Sequence, residues 1–398
     1  MIKKDFDIND FINSTVSSMQ PSGIRKFFDI VNTTEGAISL GVGEPDFITP
    51  WHIRDAGVYS LEKGQTYYTS NSGLLELREE ICKYVKKFDL EYTPDEVLVT
   101  VGGSEAIDLT MRTVISPGDE VIIPEPSFVC YKPCTALAGG VPVTIQTKAE
   151  NEFKLTAQEL IEKITPKTKL LVLSYPNNPT GAIMEKEDLL EIAEVVKKYN
   201  IMVLSDEIYA ELTYKGKHVS IASLPGMKER TIVVNGFSKA FAMTGWRLGF
   251  LMAHPALTKQ LTKVHQYAIM SSPTTSQYAA IEALKNGEDS VKMMVAEYND
   301  RRKIITDTFN KMGFPCFSPL GAFYIFPCIK SSGMTSEEFC ERLLKEEKVA
   351  LVPGTAFGEC GEGFVRVSYA YSIKQISKAT ERIANFAKQF KKDKRHEF

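Results

Sequence analysis

Between Glu96 and Met252 the chain alternates short apolar runs with longer stretches whose apolar residues recur at helical spacing. The runs are Glu96–Val101, Glu120–Ile123, Lys169–Ser174, Ile201–Ser205, Thr231–Gly236 and Leu248–Met252, and Val, Ile and Leu fill consecutive positions in them. That is the signature of strands covered on both faces. Thr156–Ile164 and Asp188–Tyr199, lying between such runs, carry the period of amphipathic helices. Strand–helix alternation of this kind predicts an α/β domain with a largely parallel sheet. In such sheets chemistry gathers in the loops at the C-terminal strand ends, so polar motifs following the apolar runs carry the most information.

Beyond Glu282 the pattern changes. A long charged helix at Ser290–Met312 leads to an apolar strand at Ala322–Phe326 and a helix at Ser336–Lys345. Strands at Val349–Val352 and Phe364–Ser368 follow, with a final helix at Ile373–Lys391 and a charged tail. This reads as a smaller α+β domain. The expected division is an N-terminal segment with part of the small domain at 1–48, a large domain at 49–285 and a C-terminal small domain at 286–398.

Charge removes several classes of function. With 47 basic and 50 acidic residues the net charge is −3, so nothing global favours nucleic acid or an acidic membrane surface. No apolar run reaches the ~18 residues of a spanning helix. The start, Met1-Ile-Lys-Lys-Asp, has no apolar core of a secretory signal. A cytoplasmic protein is expected. The seven cysteines are scattered without a Cys-x-x-Cys pair, and the five histidines do not cluster with them, so reduced thiols and no metal site are expected.

Three segments then stand out. In Val233-Val-Asn-Gly-Phe-Ser238-Lys239 an apolar run ends in Ser-Lys, and Arg247 follows eight residues later. A lysine enclosed at a strand end loses hydration, which lowers its pKa and makes its amine nucleophilic toward carbonyls. Ser238 and Arg247 suit phosphate oxygens. The second segment, Ile201-Met-Val-Leu-Ser-Asp206-Glu207-Ile208-Tyr209, ends a buried run in a carboxylate. Asp206 there either caps a helix or pairs with a protonated ring nitrogen, with Tyr209 within reach of a ring oxygen. In the third, Val99-Thr-Val-Gly102-Gly103-Ser104-Glu105, paired glycines open a helix whose free N–H groups suit an anion, or else form a plain turn with a capping serine. Asn178, fixed before Pro179, and the aromatic Phe128 occupy two further strand-end loops. Arg366 interrupts the apolar alternation of Phe364-Val-Arg-Val-Ser368, where it demands an anion: a structural carboxylate or a substrate's.

Taken in order, these segments resemble the class I/II aminotransferases, the fold-type-I enzymes dependent on pyridoxal phosphate, from about Pro21 to Phe386. Pro21-Ser-Gly-Ile-Arg25-Lys-Phe-Phe, Leu40-Gly-Val-Gly43-Glu-Pro-Asp-Phe47 and the Ser238-Lys239 segment are most similar to the gamma-type subgroup of bacterial and archaeal aspartate and aromatic enzymes. The resemblance implies a mostly parallel seven-stranded sheet in the large domain and amino-group transfer from an L-amino acid to a 2-oxo acid. It implies that Lys239 carries the cofactor and moves the proton, that Asp206 holds the ring nitrogen, and that Asn178 and Tyr209 contact the ring oxygen. Phe128 would cover the ring, in a place where the family often has tryptophan. Gly103, Ser104, Glu105, Ser238 and Arg247 would hold the phosphate, joined by Tyr68 from a partner subunit, which makes a homodimer with shared sites. Arg366, Gly43 and Asn178 would bind the substrate carboxylate, while Gly245 and Trp246 serve structure. A carbon–sulfur lyase or cyclopropane-forming synthase on the same fold, and a non-catalytic amino-acid sensor, are the rival readings. The resemblance leaves the substrate open. Phe27, Phe28, Tyr67 and Phe128 permit an aromatic substrate without demanding one, and Arg25 or Lys26 would suit a distal carboxylate such as aspartate's. The expectation is broad use of aromatic and other neutral amino acids with 2-oxoglutarate as acceptor.

Overall fold

The computed structural model describes residues 6–21, 23 and 34–393. Arg25, Lys26, Phe27 and Phe28, offered above as substrate contacts, lie outside the described residues. The six predicted apolar runs and one further strand form a seven-stranded sheet: β2 (Val97–Thr100), β3 (Glu120–Glu125), β4 (Val141–Gln146), β5 (Thr168–Ser174), β6 (Met202–Asp206), β7 (Thr231–Gly236) and β8 (Gly249–Met252). Their order is β2-β8-β7-β6-β5-β3-β4. Six strands run one way, and β8 runs antiparallel to both its neighbours. Strand β4, absent from the sequence-based expectation, takes the edge, and its Pro142 sits where a missing donor costs least.

Period-two alternation decides which face each apolar residue covers. Leu98, Val121, Ile123, Leu170, Val172, Leu204, Ile232, Val234 and Leu251 enter one buried cluster with the helix Gly102–Val114. Their neighbours Val97, Val99, Ile122, Leu171, Leu173, Val203, Val233 and Phe250 enter clusters on the opposite face. Both faces are therefore covered, which explains why the strands read as unbroken apolar runs.

The helices Glu288–Met312, Ser336–Glu347 and Ile373–Asp393 of the C-terminal region cover a core that also takes in Leu40, Tyr209, Leu212 and Ala242. The stretch expected as one strand at Val349–Val352 splits in two. Strand β10 (Val349–Ala350) pairs with β1 (Ile38–Ser39) from the N-terminal segment, and β11 (Val352–Pro353) pairs with β12 (Val365–Ser368). Strand β9 (Tyr324–Ile325) lies on the other side of β12 and is shorter than the expected Ala322–Phe326. Among the described residues no helix is long and apolar enough to cross a membrane.

Candidate active site

Because six strands are parallel, the loops after Thr100, Glu125, Ser174, Asp206 and Gly236 emerge at one edge of the sheet, and Arg247 enters there just before β8. They surround a cavity of about 270 Å³. It is lined by Gly43, Gly103, Ser104, Phe128, Asn178, Asp206, Tyr209, Ser238, Lys239, Arg247 and Arg366, together with Ile107, Tyr131, Ser174, Ile208, Thr244 and Tyr324. Of the cofactor and substrate contacts expected from sequence among the described residues, Tyr67, Tyr68 and Glu105 are missing from this lining. Tyr68 is 80% exposed, beside a separate surface hollow with Tyr67 and Pro273. The Glu105 carboxylate turns away to accept from the Val101 amide and to meet His265 Nδ1 at 2.7 Å.

Lys239 projects into the cavity from the turn after β7, and its Nζ donates to the Gly43 carbonyl at 2.7 Å. Burial is the largest influence on this amine. With help from Arg366 and Arg247, and against Glu44, it brings the pKa down to about 8. Asp206 ends β6. Its Oδ1 accepts from the Ile208 amide at 3.2 Å, a local turn bond rather than a helix cap, since no helix follows. Its Oδ2 accepts from the Tyr131 hydroxyl at 2.7 Å, and that hydroxyl lies 2.9 Å from Ser174 Oγ. Having one proton to give, Tyr131 donates it to the carboxylate and accepts from the serine. Burial raises the Asp206 pKa despite these two bonds, and among the described residues no cation forms an ion pair with it.

The glycine turn begins the helix Gly102–Val114 without any side-chain cap, so Ser104 is not the capping serine of the plain-turn reading; it is exposed to the cavity. Gly102, Gly103 and Ser104 fill the first turn, where amide N–H groups have no intrahelical acceptor. Gly102 has φ +74°, and a Cβ there would sit 2.9 Å from Arg247 Nη2, so turn and guanidinium adjoin. Arg247 Nη1 donates to the Thr244 carbonyl at 2.9 Å, which aims the remaining donors. Trp246 instead anchors the segment, donating to Thr49 Oγ1 at 3.1 Å.

Arg366 stands across the cavity on β12, between Val365 and Val367, which point into the C-terminal core. Only 2% of it is exposed. Its Nη1 donates to Asn178 Oδ1 at 2.8 Å and its Nη2 to the Gly41 carbonyl, while the rings of Tyr324 and Phe357 lie 4.6 and 4.7 Å from its Cζ. Among the described residues none offers it a carboxylate, and its buried Nε has no partner. The structural salt bridge weighed from sequence is therefore absent among the described residues. Asn177, not Asn178, holds the loop's shape, accepting from the Thr180 amide and hydroxyl.

Tyr131 and Tyr324 were missed from sequence. Tyr324 OH lies 2.8 Å from Tyr209 OH, beneath Arg366. In the sequence Tyr324 sits in an apolar run and Tyr131 follows Phe128-Val-Cys, so both look like ordinary core aromatics.

Residues 35–383 match the family model of aminotransferase class I and II. The aromatic-amino-acid aminotransferase 2 of Thermococcus litoralis is 46% identical over 385 residues, covering 96% of this chain and 99% of that one. The aspartate aminotransferase of Pyrococcus abyssi is 47% identical over 378 residues, covering 94% and 97%. Among solved structures, the aromatic aminotransferase from Pyrococcus horikoshii OT3 superposes with a TM-score of 0.88 at 46% identity, covering 92% of this chain and 99% of that one. A matched family over most of the chain, on a fold that gathers its motifs around one cavity, identifies this protein as a member of the class I and II aminotransferases.

Proposed function

We propose that the chain binds pyridoxal phosphate and transfers the amino group of aromatic and other neutral L-amino acids to 2-oxoglutarate, as a cytoplasmic homodimer, with aspartate left open as a donor. The division into 1–48, 49–285 and 286–398 is part of this reading, supported by the pairing of β1 with β10.

The residues fit the cofactor. Asp206 is a buried carboxylate with no ion-pair partner among the described residues, and the Gly102–Ser104 turn beside Arg247 forms an anion cradle whose bend, at φ +74°, favours glycine. In the assembled site Ser104, Ser238, Arg247, the Gly103 amide and Tyr68 of the partner subunit hold the phosphate, with the Glu105 amide at the edge. Phe128 covers the ring, Asp206 keeps its nitrogen protonated, and Asn178 and Tyr209 face its oxygen. When bound, the cofactor supplies a carbonyl that condenses with amines and a ring that accepts electrons from Cα.

The chain's own groups do the rest. Arg366, with Asn178 and Gly43, holds the substrate carboxylate in two parallel hydrogen bonds and so fixes the Cα–H direction. Lys239, neutral in useful amount because of its lowered pKa, removes that proton and returns it on the way out. Side-chain preference rests on one observation: the only cations among the described lining residues are Lys239, Arg247 and Arg366, each already committed. Nothing there answers a second carboxylate. Initial rates with 2-oxoglutarate test this reading. Phenylalanine and tyrosine are expected to exceed aspartate in kcat/KM, and good turnover of aspartate with none of either aromatic would overturn it. Neither the lyase nor the sensor reading gains support from any observation of the site.

A further inference from the structure

Tyr324 touches three parts of the machinery at once. Its hydroxyl is 2.8 Å from that of Tyr209, its ring face lies 4.6 Å below the Arg366 guanidinium, and a Cβ on Gly43 would fall 2.2 Å from its oxygen. Gly43 in turn supplies the carbonyl that holds Lys239. The side chain is 1% exposed and comes from β9, across the cavity from the strand-end loop that carries Tyr209.

We infer that Tyr324 is a positioning residue whose hydroxyl supplies the hydrogen bond that Tyr209 needs to donate to the cofactor's ring oxygen, and whose ring supports the carboxylate clamp. The inference rests on the proposed role of Tyr209. Two hydroxyls 2.8 Å apart share one hydrogen bond, and either can be the donor. With nothing else to bind, Tyr209 gives its proton to Tyr324. When a ring oxygen takes that proton, Tyr324 rotates its own O–H toward the Tyr209 oxygen, which strengthens Tyr209 as a donor. Burial is the largest influence on both hydroxyls and keeps them protonated, as donation requires, while Arg366 opposes it at both oxygens and so strengthens each as a donor. The charged and titratable groups around the pair are Asp206, Lys239, Arg366, Tyr298, Tyr369 and Tyr371. Of these, Arg366 alone bears on both hydroxyls as a fixed cation.

The test uses the cofactor-loaded protein and the pH midpoint of its visible absorbance band. Donation to the ring oxygen favours the deprotonated chromophore, so Tyr209→Phe should raise the midpoint. Tyr324→Phe should raise it by about half a unit to one unit, lower kcat by about three- to tenfold and leave amino-acid KM within about twofold. Tyr324→Leu, which also removes the ring, should in addition raise KM. The Tyr209→Phe/Tyr324→Phe double variant should show no more midpoint shift than Tyr209→Phe alone, because one hydroxyl acts through the other. A midpoint unmoved by Tyr324→Phe but moved by Tyr209→Phe would overturn the inference. So would a kcat loss without a midpoint shift, which would mark Tyr324 as structural. If Tyr209→Phe itself leaves the midpoint in place, the proposed role of Tyr209 fails instead.

Discussion

Lys239 shows how burial sets chemistry at a single residue. An exposed lysine is almost wholly protonated at neutral pH and is a poor nucleophile. Here desolvation, with two arginines nearby, brings the pKa to about 8, so about one amine in ten is neutral at pH 7 and half at pH 8. A lowered pKa moves reactivity to lower pH. The rate at which cofactor-free protein captures pyridoxal phosphate, followed by visible absorbance, should therefore rise about tenfold per unit well below pH 8 and level off above it. A midpoint near the ordinary lysine value would contradict that. Lys239, Asp206 and Arg366 were legible in sequence because a charge at the end or middle of an apolar run is out of place, and something must compensate it. Tyr131 and Tyr324 were not, because a tyrosine in an apolar run is an ordinary core residue until its hydroxyl's partner is known. The Asp206 network runs through Tyr131 and Ser174, from two other strand-end segments, and only the folded sheet brings the three together.

At the scale of elements, the site depends on how closely a turn can approach a strand. A Cβ on Gly249 of β8 would lie 2.7 Å from the Gly102 carbonyl carbon and 2.8 Å from the Gly103 nitrogen. Both contacts are with backbone, so the turn itself must move. Gly249→Ala is expected to destabilise the fold by about 1–3 kcal/mol, read from denaturant midpoints, and to weaken cofactor binding as the cradle opens. Unchanged stability together with unchanged cofactor affinity would show that the turn has slack. Six strands and the helices between them were legible because both faces of a parallel sheet are covered, which leaves continuous apolar runs. Strand β4 escaped because it is an edge strand, half exposed and interrupted by Pro142. The split of Val349–Val352 followed from pairing partners in the N-terminal segment and in β12, which local pattern does not encode.

For the whole molecule, the proposed homodimer would give a group of exposed apolar side chains a partner surface. Trp51, Val58, Tyr59, Leu61, Tyr67 and Tyr68 are all exposed along and just after the helix Trp51–Glu62. Such a concentration is unusual on a free surface. Tyr68 sits among them, away from its own chain's cavity, as a residue serving the neighbour's site would. If the sites are shared, mixing inactive Lys239→Ala protein with impaired Tyr68→Ala protein under exchange conditions should restore activity. Each mixed dimer then contains one site with both lesions and one with neither. No recovery, despite exchange shown by mass, would place Tyr68 outside the partner's site.

The most direct measurement is the visible spectrum of the purified protein loaded with pyridoxal phosphate, before and after adding one amino acid with no 2-oxo acid present. A yellow band that bleaches with phenylalanine or tyrosine, and returns when 2-oxoglutarate is added, is the expected result. It would demonstrate both halves of the transfer without a coupled assay, and Lys239→Ala should lack it. A protein that stays colourless with added cofactor, or a band that no amino acid bleaches, would contradict the account.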